Sequence, residues 1–286
     1  MHSRNIHKDT PYNFDQLLKV NPDLKAFIFT NEYNTTTIDF GNPKAVVALN
    51  KALLKAFYNV ENWELPEGYL CPPIPSRVDY IHHVADLLPN KASIKGIDIG
   101  VGANAIYCIL GAQVYNWQML GSDINSESVA IAQKNINYTP NTAEKVKIVY
   151  QENNANIFDG LIKPDDFYDF SVCNPPFHSS EKEAKNSALR KITNLNQKDF
   201  DLNFGGQANE LWCNGGEALF LKRMIKQSAT FKKQVGYFTS LISKKESLQK
   251  LEKQLTKLKA SYKIIPMQHG NKITRILVWS FIHKLT

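Results

Sequence analysis

The amino-acid sequence predicts an α/β protein built on a mostly parallel sheet of seven strands, with a small helical extension before it. Seven short apolar runs typical of strands lie between residues 94 and 282. Most of them alternate with segments in which apolar residues have helical spacing, a pattern that indicates a parallel sheet covered on both faces. The last two runs have only a short connection, which favours an antiparallel strand at one edge because parallel neighbours need a longer crossover.

The composition excludes several classes of protein. Of the 286 residues, 43% are hydrophobic and 21% are charged, which is ordinary globular usage. The four cysteines lie far apart without a C-x-x-C pair, so neither a zinc site nor a disulfide framework is expected. No stretch approaches the roughly 20 apolar residues of a membrane helix, and the N-terminus lacks the apolar core of a signal peptide. We therefore expect a cytoplasmic protein that binds no membrane and no metal. Separately from the composition, we expect it to act as a monomer.

Three regions follow one another along the chain. Residues 1–60 predict helices, because Phe14 and Leu18 share one helical face and a second amphipathic run extends from Val46 to Phe57. Residues 61–75 contain four prolines, which cannot continue a helix and predict a linker or a packed extended segment. Residues 76–286 carry the alternation of strands and helices and are expected to form the α/β domain.

The elements of the α/β domain follow in a regular order. A helix over residues 76–88 leads into the first strand at 94–99, and a short helix is expected at 103–110. The later strands are predicted at residues 117–123, 146–150, 168–173, 235–242, 262–265 and 276–282, and the later helices at 127–136, 217–225 and 248–258. Residues 178–214 are polar and predict a long loop, which we expect to cover a substrate.

A glycine turn after the first predicted strand is the first indication of a ligand site. Gly100 and Gly102 let the backbone turn sharply and approach a ligand closely, and Ala105 occupies the third small position of a dinucleotide fingerprint. Asp98 precedes the turn inside an apolar strand, where a carboxylate is costly unless it has a partner. A tight turn without a ligand would also explain the glycines, so this segment alone does not decide the matter.

Asp123 adds a second element to the site. It follows the second predicted strand, 21 residues after Gly102. An acid at this place in an α/β sheet accepts hydrogen bonds from the hydroxyl groups of a ribose. The glycine turn and Asp123 together indicate a ligand that contains adenosine, and both S-adenosylmethionine and NAD fit that description.

A turn of sequence Asn-Pro-Pro-Phe ends the fourth predicted strand and indicates the chemistry. The prolines remove two backbone donors and hold Asn174 in an extended conformation. The Asn174 amide oxygen and the Pro175 carbonyl could both accept hydrogen bonds from one exocyclic NH2 group, and Phe177 offers a flat face to a base. A generic Pro-Pro loop explains the prolines but neither Asn174 nor Phe177. The turn therefore favours S-adenosylmethionine and methylation of an amino group.

Together these motifs resemble class I S-adenosylmethionine-dependent amino methyltransferases, whose fold is Rossmann-like. The segment from Ile74 to His82, the Gly215-Gly216-Glu217 segment and Lys244-Lys245 extend the resemblance to one family. That family comprises the bacterial 23S ribosomal RNA adenine N6-methyltransferases called ribosomal RNA large subunit methyltransferase F, which are similar to an animal adenine methyltransferase acting on spliceosomal RNA. The resemblance runs from Asn5 to Phe281.

The resemblance implies a cofactor, a substrate and a set of residues. The cofactor is S-adenosylmethionine, and the substrate is the N6 amine of an adenine in 23S ribosomal RNA, either free or in an assembling large subunit. Arg77 would clamp the methionine carboxylate, and Asn104 stands where the family has a serine. The implied cofactor-binding residues are Arg77, Asp98, Gly100, Gly102, Asn104, Asp123 and Asn174, and the implied catalytic residues are Asn174, Pro175, Pro176 and Phe177.

The charge distribution bears on the choice of substrate. The chain has a net charge of +7, yet residues 222–286 alone hold fifteen basic and two acidic residues, a net charge of +13. Such asymmetry is typical of a surface that binds a polyanion, although a solvated lysine-rich helix explains it equally well. The expected RNA-binding residues are Lys244, Lys245, Lys272 and Arg275. DNA adenine, another RNA, a protein glutamine, or RNA binding without catalysis remain alternatives.

Overall fold

A seven-stranded mixed sheet forms the centre of the structure, a computed structural model that describes residues 1–176, 183, 213, 215–269 and 272–285. Two short strands precede the sheet and form a separate hairpin. The strands are β1 (Ile28–Thr30), β2 (Thr36–Ile38), β3 (Lys95–Ile99), β4 (Gln118–Asp123), β5 (Val146–Tyr150), β6 (Tyr168–Cys173), β7 (Val235–Ile242), β8 (Ser261–His269) and β9 (Lys272–Ser280).

The large sheet has the strand order β5-β4-β3-β6-β7-β9-β8. The five strands from β3 to β7 are parallel to one another, and β9 is antiparallel to both β7 and β8. The predicted α/β class, the seven strands and the final antiparallel pair are therefore confirmed. The prediction placed an antiparallel strand at the edge of the sheet. In the structure the antiparallel strand is β9, which lies between β7 and β8, and β8 is the edge strand.

Seven α-helices surround the sheet within the described part of the chain. They are α1 (Phe14–Val20), α2 (Pro43–Tyr58), α3 (Ile74–Ala85), α4 (Ile106–Tyr115), α5 (Ser126–Tyr138), α6 (Gly216–Ser228) and α7 (Lys245–Lys257). Asn13, Asn42 and Asn125 cap three of their N-termini, each accepting a backbone hydrogen bond through its side chain. Helix α3 begins two residues earlier than predicted, because Pro75 is accommodated in its first turn, where no intrahelical N–H bond is lost.

The N-terminal region is not wholly helical. Strands β1 and β2 pair in antiparallel register, with Ile28 opposite Ile38. Asn34 turns the chain between them in the left-handed region, at a φ of 56°. The β-branched run from Thr35 to Thr37 favours an extended backbone there. The prediction of helices alone over residues 1–60 was therefore wrong for this hairpin.

Two hydrophobic clusters cover opposite faces of the sheet. Neighbouring residues of β9 alternate between them, with Val278 in the first and Trp279 in the second. The first cluster also contains Leu17 and Leu53, so the N-terminal helices share a core with the α/β sheet. Among the described residues, no helix combines the length and the apolar character required to span a bilayer.

Candidate cofactor and catalytic site

A cavity of about 370 Å³ opens at the carboxyl ends of β3, β4, β5 and β6. Parallel strands bring their carboxyl ends to one edge of a sheet, and ligands bind in the crevice beside them. The cavity wall includes the glycine turn, Asp123 and Asn174, which the sequence predicted for a single site. The structure thus brings together residues that lie up to 74 positions apart, from Gly100 to Asn174.

The glycine turn has a backbone that glycine adopts readily. Gly100 and Gly102 have φ values of 74° and 60°, in the left-handed region. The N–H groups of Gly100 and Val101 both donate to the Ser122 carbonyl at 2.9 Å, which fixes the turn against β4. A methyl group added at Gly100 would have no neighbour within 4 Å. The turn therefore leaves its backbone exposed to whatever fills the cavity.

Asp123 is held rigidly at the end of β4. One carboxylate oxygen accepts from the Gly102 N–H at 2.9 Å, and the other accepts from the Asn125 N–H at the same distance. Burial raises the pKa of this carboxyl, while the backbone donors act in the opposite direction. An ionised carboxylate has about four acceptor sites, so the Asp123 carboxylate can still accept a hydrogen bond from a hydroxyl group of a ligand in the cavity.

Asp98 is buried behind the cavity wall and does not itself line it, with 1% of its surface exposed. One of its oxygens lies 3.9 Å from the Cys108 sulfur, and the other has no hydrogen-bond partner among the described residues. Burial, followed by the nearby charge of Asp123, raises the pKa of Asp98 to about 8. The carboxyl therefore carries a proton at neutral pH when the cavity is empty.

Arg77 lines the cavity from the first half of α3 and is 9% exposed. Its guanidinium lies 5.8 Å from the centroid of the Tyr107 ring, which lines the cavity as well. The aromatic face attracts the cation and fixes its place. A buried, fixed guanidinium has the geometry to bind a carboxylate through two parallel hydrogen bonds.

Asn104 lines the cavity and also closes the glycine turn. Its side-chain oxygen accepts from the Ile106 N–H at 3.0 Å, at the start of α4. Its side-chain nitrogen approaches the Leu70 carbonyl at 3.5 Å, and its own carbonyl accepts from the indole N–H of Trp63 at 2.9 Å. Asn104 therefore joins the glycine turn to the proline-rich segment in addition to facing the cavity.

Asn174, Pro175 and Pro176 lie in the cavity wall at the end of β6. The Asn174 side-chain oxygen is buried and accepts no hydrogen bond from any residue that the structure describes. A buried acceptor without a donor is unfavourable by about 1–3 kcal/mol. Among the described residues, the Asn174 oxygen therefore has unused capacity to accept a hydrogen bond. Phe177 lies outside the described residues, as does all of the predicted loop at 178–214 apart from Glu183 and Cys213.

The predicted RNA-binding residues lie close to the same sheet edge. Arg275 is opposite Ile242 in the pairing of β9 with β7, and Lys244 follows two residues after that pair. The Lys244 ammonium contacts the Glu183 carboxylate at 3.0 Å, and Lys245 is exposed. For Lys272 the structure describes only the backbone, at the first position of β9.

Several residues of the cavity wall were missed by the sequence analysis. Leu70 and Pro72 come from the supposed linker, and Tyr107 comes from α4. A further group follows β5 or lies on α6, namely Gln151, Asn154, Asn156, Phe220 and Arg223. The residues after β5 could have been found, because this strand ends at the same edge as the glycine turn. Leu70 and Pro72 gave no comparable signal.

Comparison with known proteins decides the family. The whole of residues 1–283 matches a family described as RNA methyltransferase. The chain belongs to this RNA methyltransferase family.

Named relatives of this RNA methyltransferase share most of its length. It is 59% identical to ribosomal RNA large subunit methyltransferase F of Christiangramia forsetii, covering 98% of this chain and 100% of the relative. It is 46% identical to the protein of the same name from Flavobacterium johnsoniae, covering 99% and 94%. The resemblance stated from the sequence motifs is therefore confirmed.

Solved structures agree with the fold. The catalytic domain of human METTL16 in complex with hairpin 1 of the MAT2A 3'UTR is 31% identical and superposes with a TM-score of 0.87, covering 100% of this chain and 97% of that one. The N-terminal domain of human METTL16 in complex with SAH is 29% identical, with a TM-score of 0.79 and 99% coverage of both chains. The methyltransferase class of the fold is thus confirmed.

S-adenosylmethionine is the cofactor of this RNA methyltransferase, and the cavity suits it. The ligand presents a carboxylate, a ribose and an adenine, and the wall offers Arg77, Asp123 and a polar group after β5 that includes Gln151 and Asn156. Open space at Gly100 leaves room for the ligand beside the backbone. The described residues contain no group of three or more His, Cys, Asp or Glu side chains placed to hold a metal ion.

Proposed function

We propose that this RNA methyltransferase transfers a methyl group to the N6 amine of an adenine in 23S ribosomal RNA. The observation that carries the proposal is the position of Asn174 in the cavity wall, with a buried side-chain oxygen that has no donor among the described residues. An exocyclic amine is a donor with two hydrogens, and its second hydrogen can be accepted by the neighbouring Pro175 carbonyl. The names of the bacterial relatives support ribosomal RNA of the large subunit as the substrate.

Different residues of the cavity wall would bind different parts of the cofactor. Arg77 would bind the methionine carboxylate, since its guanidinium is fixed against Tyr107. Asp123 would accept hydrogen bonds from the ribose hydroxyls at the acceptor sites that its backbone N–H donors leave free. Asn154 and Asn156 would contact the adenine from the segment after β5. The bound cofactor supplies an activated methyl group on a sulfonium centre.

Asn174 and Pro175 would orient the amine that receives this methyl group. The lone pair of adenine N6 is delocalised into the ring, so the nitrogen is a weak nucleophile. Two acceptors on its hydrogens favour a pyramidal nitrogen with the lone pair turned away from the ring plane. With that pair the nitrogen would form a bond to the methyl carbon while the bond between this carbon and the sulfur breaks, which leaves a neutral thioether. The methylated nitrogen would afterwards lose one proton to water. Correct placement of the reactants can contribute ~7–11 kcal/mol to lowering the barrier.

The target adenine must leave its stack in the RNA before it can enter the cavity. Unstacking costs a few kcal/mol, and stacking on Phe177, as the sequence predicts, would return ~1–3 kcal/mol. The net charge of +13 over residues 222–286 supports a polyanion as the substrate. A ribosomal RNA substrate also places the enzyme in the cytoplasm, where we propose that it acts as a monomer without a metal ion.

One experiment separates this proposal from its alternatives. Methylated adenines are mapped by mass spectrometry in RNA from cells that lack the protein and from cells that carry it again. We expect one N6-methyladenine of 23S ribosomal RNA to disappear and to return only with the unaltered chain, not with Asn174→Ala. Loss of a methyl mark from DNA or from a protein glutamine, with 23S ribosomal RNA unchanged, would overturn the proposed substrate.

A further inference from the structure

A closed circuit of hydrogen bonds joins α3 and β7 to the end of β6. The hydroxyl of Tyr80 lies 2.7 Å from the hydroxyl of Thr239. The Thr239 hydroxyl donates to the Ser171 carbonyl at 2.7 Å, and the Tyr80 oxygen accepts from the Cys173 N–H at 3.5 Å. The side chains of Tyr80 and Thr239 are completely buried, so water does not compete for these bonds.

The direction of the circuit follows from its chemistry. A hydroxyl group has one hydrogen, and Thr239 has given its hydrogen to Ser171. The bond between the two hydroxyls must therefore be donated by Tyr80. The order is Cys173 N–H to Tyr80, Tyr80 to Thr239, and Thr239 to the Ser171 carbonyl, so the circuit starts and ends on β6. Hydrogen bonds that point the same way along a chain polarise and strengthen one another.

The circuit acts where backbone pairing stops. The parallel pairing of β6 with β7 ends at Ser171 opposite Phe238. Beyond that pair, the N–H of Cys173 reaches the Tyr80 hydroxyl. The Ser240 hydroxyl lies 3.4 Å from the Cys173 carbonyl and 3.2 Å from the Leu241 carbonyl, so these two acceptors share its hydrogen. Side-chain hydroxyls thus replace strand pairing on the β7 side of Cys173, the last residue before Asn174. Asn174 can therefore leave the sheet while Cys173 remains fixed.

We propose that Tyr80 is a positioning residue for methyl transfer, which it supports by fixing the backbone of Cys173 and hence the direction of Asn174. The same helix carries Arg77, three residues earlier, in the wall of the cavity. Tyr80 therefore connects the end of β6, where Asn174 would orient the amine, to α3, where Arg77 would bind the cofactor carboxylate. This inference rests on the role proposed above for Asn174.

Tyr80→Phe tests the inference, because it removes the hydroxyl and keeps the ring. The ring packs edge-on against Tyr107 at 5.3 Å, so the cavity wall retains its support. A small displacement of a reacting group can lower a rate by about a hundredfold, and we expect kcat on the RNA substrate to fall about tenfold or more. The KM for S-adenosylmethionine and for RNA should stay within about twofold. Hydrogen exchange at the Cys173 amide should become faster.

Two further variants make the test specific. Thr239→Val breaks the same circuit from β7 and should lower kcat to a similar extent. Thr142→Val is the matched control, because Thr142 is also completely buried and its hydroxyl donates to the Ile136 carbonyl at 2.6 Å, after α5. We expect this control to lower the melting temperature and leave kcat unchanged.

The outcomes distinguish this inference from the proposed function. If Asn174→Ala abolishes transfer while Tyr80→Phe keeps kcat within about twofold of the unaltered enzyme, the positioning role is wrong and the proposed function stands. If Thr142→Val lowers kcat as much as Tyr80→Phe does, the effect is a general loss of stability and the inference also fails. If Asn174→Ala is itself active, the proposed mechanism fails before Tyr80 is considered.

Discussion

A hydrogen bond of 2.9 Å joins the carboxylate of Asp123 to the backbone N–H of Gly102. The acid at the end of β4 and the glycine turn after β3 therefore form one surface rather than two separate motifs. A change at either residue should disturb the other. Gly102 and Asp123 lie 21 positions apart in the sequence, and in the structure they are in direct contact.

Asp123→Ala is expected to weaken the binding of S-adenosylmethionine at least tenfold. The change removes the ribose acceptor and leaves the Gly102 N–H without its partner, and a hydrogen bond to a charged group is worth about 1.5–3 kcal/mol. Titration calorimetry on the protein without RNA should show one site per chain before the change. The exposed Asp165 provides a control, as Asp165→Ala should bind normally. Tight binding of NAD in place of S-adenosylmethionine would contradict the assignment of the cavity.

Asn174→Ala is expected to abolish methyl transfer to RNA and to leave the melting temperature nearly unchanged. The Asn174 oxygen has no donor among the described residues, so removing it costs the folded protein little. The two measurements are turnover on RNA and a thermal melt of the same preparation. Turnover close to that of the unaltered enzyme would remove Asn174 from the mechanism.

Asp98→Asn is expected to stabilise the protein without cofactor at high pH. The pKa of Asp98 is about 8 in the folded state against an ordinary value of 3.8, because burial disfavours the charged form. A raised folded pKa means that the stability contributed below pH 3.8 is lost progressively as the pH rises to about 8. Asparagine has no charge to bury, so its advantage in melting temperature should grow across this range and then level off.

The measurement for Asp98 is a series of thermal melts from pH 5 to 9, with Asp165→Asn as the exposed control. The melting temperatures of the control and the unaltered protein should follow the same curve. A constant difference between Asp98→Asn and the unaltered protein at every pH would show that Asp98 does not titrate in this range.

Charge reversal at Lys244 and Lys245 is expected to weaken RNA binding and to reduce its salt dependence, while cofactor affinity stays the same. Phosphate contacts release counterions, so each lost contact lowers the slope of log affinity against log salt by about 0.7–0.9. The matched control reverses Lys253 and Lys257, two exposed residues of α7 with the same change in net charge. Equal effects in both double variants would show that the positive charge of residues 222–286 attracts RNA only in a general way. The RNA-binding surface would then be sought in residues 1–60.

The sheet was predictable because its strands are mostly apolar and most of them alternate with helical segments. The predicted bounds of β5, β6 and β7 match the structure, since polar residues flank β5 and β7 and the Asn-Pro-Pro turn ends β6. The β1–β2 hairpin was not predicted, because strands of three residues carry too few positions for an alternating pattern. Short elements of this kind depend on the packing around them.

The site was predictable wherever its residues directly follow strands. Gly100, Asp123 and Asn174 all come at carboxyl ends of parallel strands, so topology alone places them together. The contribution of residues 61–75 could not be predicted in this way. Asn135 on α5 binds both the N–H and the carbonyl of Glu64, at 2.8 and 2.9 Å, and holds this segment beside the cavity. Such contacts between distant residues have no periodic signal, so the sequence left open whether the proline-rich segment is a linker or a packed extended segment.

The insertion of β9 between β7 and β8 also governs the order in which the protein can form during its own synthesis. Translation delivers β7 and β8 before β9, yet both of these strands pair with β9 and not with each other. A growing chain that stops at residue 269 therefore exposes two unsatisfied strand edges and lacks the buried side chains of Ile276 to Trp279. We expect this half of the sheet to assemble only after β9 has emerged, so that nascent chains depend on protection from aggregation until then.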